Sequence, residues 1–297
     1  MDIRLYKGGH QSTTEHFIAA LKENKNILAD ENITYLPIEN DTFTHIFKAA
    51  KAIRNGKNIA DTRNDFLKQL TDIKSIDKLL IIDNRVIGQE HRLFEKELFQ
   101  PRNRGILNQI EAIFSDFNIR IFIETRSFTS LIPSYYSDTV FYNKASNYDD
   151  FIAQINIEDL QWSSLIERSQ GRGTRLPATI WRYEDYPYIW RDVIGAITGV
   201  EKYQDLNAPA ENLDLGVDLQ RALLFNKYIQ KHPDKTSEEL EKMKPLFLQQ
   251  DLSVVKELDI PGWSQERTEA LQHGYDDDWY YIERMDDVET ILPRKLA

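Results

Sequence analysis

The chain has 297 residues, 41% of them hydrophobic and 29% charged, an ordinary balance for a globular protein with a real core. It contains no cysteine, which excludes disulfides, thiolate metal sites and a cysteine nucleophile. Its formal net charge of −11 argues against nucleic acid as a partner, although an acidic body still binds an anion where a few cations and backbone amides converge.

Ile3-Arg4-Leu5-Tyr6 reads as a short strand. It runs into Lys7-Gly8-Gly9-His10-Gln11-Ser12-Thr13-Thr14, a turn with two glycines and three hydroxyls. Phe17, Ala20, Leu21 and Leu28 then share a helical face, with Ser12 or Thr13 as the N-cap. A helix fits Phe43, Ile46, Phe47, Ala50 and Ile53. Lys78 to Asp83 contains a short continuous apolar run and reads as a buried strand; Ile106 to Phe117 reads as a helix, Arg120 to Glu124 as a strand, and Ala178 to Tyr183 as another, with a helix around Trp190 to Ile197. Strands alternating with helices predict an α/β fold with a parallel sheet covered on both faces.

After about residue 205 the strand signals stop, and 219–229, 238–258 and 264–285 read as helices. The expected organisation is a single domain, with an α/β core over 1–205 and a helical C-terminal part over 206–297 packed on it. Leu271, Tyr275, Trp279 and Ile282 form one stripe, expected to pack against the sheet. No apolar stretch approaches the roughly 18 residues of a membrane helix. The first residues read as a strand rather than a leader, so no membrane partner and a cytoplasmic location are expected.

A strand, a glycine turn and a helix N-terminus make an anion site, because the first helical N–H groups lack intrahelical partners and the helix dipole favours negative charge. Gly8 and Gly9 permit close backbone approach, and Ser12, Thr13 and Thr14 add hydroxyl donors. A plain capped turn accounts for the same residues, and the Walker spacing is absent. Arg126 follows a strand, with Ser134 eight residues later and Tyr136 beyond it.

These segments, with Ile33-Thr34-Tyr35-Leu36-Pro37, Trp181-Arg182-Tyr183-Glu184-Asp185-Tyr186, Pro261-Gly262-Trp263-Ser264 and Tyr275-Asp276-Asp277-Asp278, resemble in order those of bacterial PAPS-dependent sulfotransferase-like proteins with a P-loop fold. The resemblance implies 3′-phosphoadenosine 5′-phosphosulfate (PAPS) as co-substrate without a metal, and a small-molecule or glycan acceptor. Gly8, Gly9, Gln11, Ser12, Thr13, Thr14, Arg126 and Ser134 would contact the nucleotide. Gln11 stands where that family places a loop lysine, Thr13 where it places a loop glycine, and Asn84 where relatives often carry a glutamate.

His10 is the first choice of general base, since imidazole titrates near neutrality, with Asp83 and Glu184 as alternatives at strand ends. Glu184 and Asp185 also read as helix caps. His16 reads as structural or exposed, and His45, His91, His232 and His273 as surface residues. Tyr135, Tyr136, Tyr142, Trp162 and Tyr188 either line an acceptor pocket or belong to the core. Two readings stay open: a sulfotransferase with altered loop chemistry, and a nucleotide- or anion-binding protein of the same fold without that reaction. A P-loop kinase fits less well, because Gln11 stands where it needs lysine.

Overall fold

The computed structural model describes residues 1–7, 13–36, 42–70, 76–82, 94–95, 98–99, 103–142, 148–153, 155–156, 160–170, 175–209, 219–248 and 264–294. Its strands are β1 (Asp2–Lys7), β2 (Ile33–Leu36), β3 (Lys78–Ile82), β4 (Phe94–Glu95), β5 (Leu98–Phe99), β6 (Asn118–Thr125), β7 (Ala178–Arg182) and β8 (Val288–Thr290). The helices are α1 (Thr14–Glu23), α2 (Lys25–Asp30), α3 (Thr42–Arg54), α4 (Ile59–Leu70), α5 (Asn103–Ile113), α6 (Phe128–Tyr142), α7 (Tyr148–Ala153), α8 (Trp162–Gln170), α9 (Tyr186–Thr198), α10 (Leu219–Lys231), α11 (Ser237–Leu248) and α12 (Gln265–Ile282).

Six strands form one sheet in the order β2-β3-β1-β6-β7-β8, every pairing parallel, while β4 and β5 make a separate antiparallel pair. The α/β expectation therefore holds. Side chains alternate across the sheet with period two. Ile3, Leu5, Leu79, Ile81, Ile121 and Ile123 pack with α3, α5, α6, α8 and α12 on one face. Tyr6, Leu80, Ile82, Phe122 and Trp181 pack with α1, α2 and α9 on the other. Tyr275, Trp279 and Ile282 of α12 are core residues, as their stripe predicts. Among the described residues no helix is long and apolar enough to cross a membrane.

The structure corrects the expectation that strands end near residue 205. β8 returns to the sheet and pairs with β7, Ala178 opposite Val288 and Ile180 opposite Thr290. The first helix is also two helices, broken at Asn24. The Asn24 amide donates to the carbonyls of Ala20 at 2.8 Å and Asn207 at 3.0 Å, and its oxygen accepts from the Asn207 N–H at 2.9 Å. α9 ends at Gly199, whose φ of +67° suits glycine; Arg4 and Lys78 bring positive charge to its terminal carbonyls.

Buried Asp278 of α12 caps α8, its Oδ2 accepting from the backbone N–H groups of Trp162 at 2.7 Å and Ser163 at 3.1 Å. Asp278→Ala removes the carboxylate that both N–H groups donate to and is expected to destabilise the fold by about 1–2 kcal/mol in urea unfolding. Asp278→Asn, which keeps an acceptor, should lose less than half of that.

Candidate functional site

β1 and β6 are neighbours, Lys7 paired with Ile123, yet the chain leaves them in opposite directions: from β1 toward β2 at one edge, from β6 toward β7 on the other side. Such a reversal opens a crevice at the carboxyl ends of the two strands, the usual ligand position of open α/β sheets. Tyr6 is level with both Ile82 and Phe122, and Thr125 with Arg182, so β1, β3, β6 and β7 end along one edge. Gly8, Gly9, His10, Gln11 and Ser12 follow β1, and Asp83 and Asn84 follow β3; all lie outside the described residues.

Thr13 occupies the N-cap position of α1 but makes no side-chain cap bond. The expected N-cap position holds, but the Thr13 side chain serves another partner. The Thr13 hydroxyl donates to Glu124 Oε2, and its backbone N–H donates to Glu124 Oε1 at 3.1 Å. The Trp181 indole adds a third donor, 3.1 Å from Oε2. Glu124 is 1% exposed. Burial pushes its carboxyl up to about 7, against the pull of these donors and of the Arg126 charge. Thr14 opens α1 and is buried.

Arg126 leaves β6 two residues after Glu124. Its Nε donates to Ser130 Oγ at 2.9 Å, its terminal nitrogen donates to Ser134 Oγ at 3.3 Å, and its guanidinium lies 4.3 Å above the Tyr183 ring. The sequence-predicted pair is thus in contact, across two turns of α6. Burial pushes the guanidinium down from its usual range, while Tyr183, Glu184, Glu124 and Asp138 oppose that shift; it stays charged.

The main chain at Arg126 is fixed from both sides. Trp162 Nε1 donates to the Arg126 carbonyl at 2.9 Å. The next N–H, that of Ser127, donates to Glu184 Oε1 at 2.9 Å. Glu184 Oε2 accepts from Tyr275 at 3.3 Å, and the same phenol meets Thr125 Oγ1 at 3.0 Å. Glu184 thus serves the start of α6 rather than its own helix. Asp185 holds the N-cap position of α9 without a side-chain bond.

Tyr135, Tyr136 and Trp162 are core residues and Tyr188 is 80% exposed; the side chain of Tyr142 lies outside the described residues. His16 is half-buried, 3.1 Å from the Tyr186 hydroxyl, and burial lowers its pKa. His45 and His232 are half-buried, each with a hydrogen-bond partner, and His273 is exposed; His91 lies outside the described residues. Chemically, the crevice offers a planar cationic fork with two hydroxyls, and beside it a carboxyl able to exchange a proton near neutrality.

Sequence reasoning passed over Glu124, although the signal was present. An acid directly after the apolar run Ile121 to Ile123, near the end of a central parallel strand, falls where both faces of the sheet are covered. A carboxyl raised in the folded state binds protons more tightly there than when unfolded. Its stabilisation is therefore complete below the ordinary glutamate range and is lost as pH rises toward 7. The stability difference between wild type and Glu124→Gln should fall by about 3 kcal/mol from pH 4.5 to 7, measured by urea unfolding at a series of pH values. A difference independent of pH would contradict the buried-acid reading.

No family model, curated protein or solved structure matches this chain.

Proposed function

We propose that the crevice between β1 and β6 binds the phosphates of 3′-phosphoadenosine 5′-phosphosulfate, and that the protein transfers the sulfuryl group to a hydroxyl or amine of a small-molecule or glycan acceptor. The observation that carries this reading is the Arg126 fork, already oriented toward Ser130 and Ser134 and lying one strand from the loop that follows β1. Arg126 and Ser134 hold the 3′-phosphate. Gly8, Gly9, Ser12 and Thr14 hold the 5′ end through backbone amides and hydroxyls; Thr13, expected among them, donates its N–H and hydroxyl to Glu124 instead.

In the transfer, the bond between sulfur and the bridging oxygen breaks, and a bond from the acceptor oxygen or nitrogen to sulfur forms. The acceptor proton passes to a base, and 3′-phosphoadenosine 5′-phosphate leaves. Catalysis of this kind is mostly positioning and electrostatics. Gln11 donates to the bridging oxygen, and His10 is the first candidate base, ahead of Asp83 and Glu184. Glu184 already accepts two hydrogen bonds, which suits the role of holding the Arg126 turn.

A second reading, nucleotide binding without transfer, is favoured by Gln11 at the place of a lysine. The test is transfer of radiolabelled sulfate to a panel of sugars, phenols and amines. Labelled product that disappears in the Arg126→Ala variant supports transfer. Nucleotide binding with no labelled product from any acceptor supports the second reading.

A further inference from the structure

We infer that a phosphate-bearing ligand enters the β1/β6 crevice together with a proton, and that the Glu124 carboxyl receives it. The inference rests on the reading that this crevice takes phosphate. Glu124 already holds an anion's position at the start of α1, accepting both the backbone N–H and the hydroxyl of Thr13. Arg126, the cation proposed for the ligand, has Glu124, Glu184 and Asp138 as electrostatic partners. A phosphate added there places further negative charge beside carboxylates gathered around one guanidinium. Charge is relieved most cheaply at the group that water screens least. Glu184 is exposed and Asp138 half-buried, whereas Glu124 is sealed from solvent.

The neighbours of Glu124 leave it as the group that gives. Thr13 of α1 and Trp181 of β7 donate hydrogen bonds to it, and Arg126 stays charged. Tyr186 of α9 faces it with a phenol pushed well above its usual value, and is neutral. Tyr6 of β1 and His16 of α1 reach the cluster through Tyr186, and burial lowers the His16 pKa, so that imidazole is neutral above pH 7. Among the described residues of this cluster, Glu124 is the one whose charge changes close to neutrality.

The experiment is calorimetric titration of 3′-phosphoadenosine 5′-phosphate slightly above neutral pH, in buffers of differing ionisation enthalpy. The wild-type binding heat should vary with the buffer, reporting uptake of up to about one proton more than the Glu124→Gln variant takes up. The ligand's own phosphates contribute equally to both. Wild-type affinity should correspondingly fall by up to about tenfold per pH unit above the Glu124 range.

Gln cannot satisfy every donor that Glu124 serves, since its NH₂ must face either the Thr13 N–H or the Trp181 indole. A second measurement therefore uses wild type alone. Infrared difference spectra should gain the C=O stretch of a protonated carboxylic acid as nucleotide is added. Equal proton uptake in both proteins with binding intact, or binding without that band, overturns the inference while leaving the phosphate reading standing. No binding heat in wild type overturns both.

Discussion

Arg126→Ala is expected to weaken nucleotide binding by roughly 10- to 150-fold, the largest affinity loss of any single change in the crevice. A charge-assisted hydrogen bond contributes about 1.5–3 kcal/mol. The Arg126 fork is already held by Ser130 and Ser134, so the wild type spends little on ordering it when phosphate arrives. Removing it also leaves the Glu124 and Glu184 carboxylates without their shared cation, which repels the ligand further. Ser134→Ala removes one neutral donor and should cost roughly 2- to 13-fold. Arg126→Lys keeps the charge but loses the planar fork, and should fall between the two. Titration calorimetry on each variant, with thermal unfolding to show that the fold persists, checks the series. Unchanged affinity in the alanine variant would remove the phosphate assignment.

Gln11→Lys is expected to raise sulfuryl-transfer turnover by up to about 10²–10³-fold. The transition state gathers negative charge on the bridging oxygen, and a cation there stabilises it more than an amide does. The gain should appear in kcat and little in cofactor affinity, because the ground state carries less charge at that atom. Pairing the change with Thr13→Gly would restore the resembled family's loop glycine. In this structure, however, the Thr13 hydroxyl holds Glu124, so the single substitution is the cleaner variant. Sulfate-transfer rates for wild type and Gln11→Lys check it. A fast wild type slowed by the lysine would make Gln11 a working part of the site.

The elements that positioned the crevice were legible because they are buried on both faces. β3, β6 and β7 contain runs of apolar residues that a two-sided parallel sheet requires, and β1 has Ile3, Leu5 and Tyr6 in a short extended pattern. The resemblance assigned Arg126 and Ser134 to one ligand; the structure adds their mutual contact and the pairing of β6 with β1. β8 was missed because an edge strand of three residues, Val-Glu-Thr, carries almost no apolar signal. α6 was missed because Pro133 and a scatter of serines and threonines blur its periodicity, and its packing against α10 and α12 supplies what propensity does not. Glu124 lay in plain view in β6, but its importance depends on what meets it. Thr13 and Trp181 are 111 and 57 residues away in sequence, and no local pattern joins them.

The central claim is that this crevice binds a phosphorylated nucleotide, and calorimetric titration of 3′-phosphoadenosine 5′-phosphate into the wild-type chain tests it most directly. The predicted result is a saturable heat with one site per chain, weakened in Arg126→Ala and less so in Ser134→Ala. A titration showing no saturable heat, with the chain folded, would contradict it.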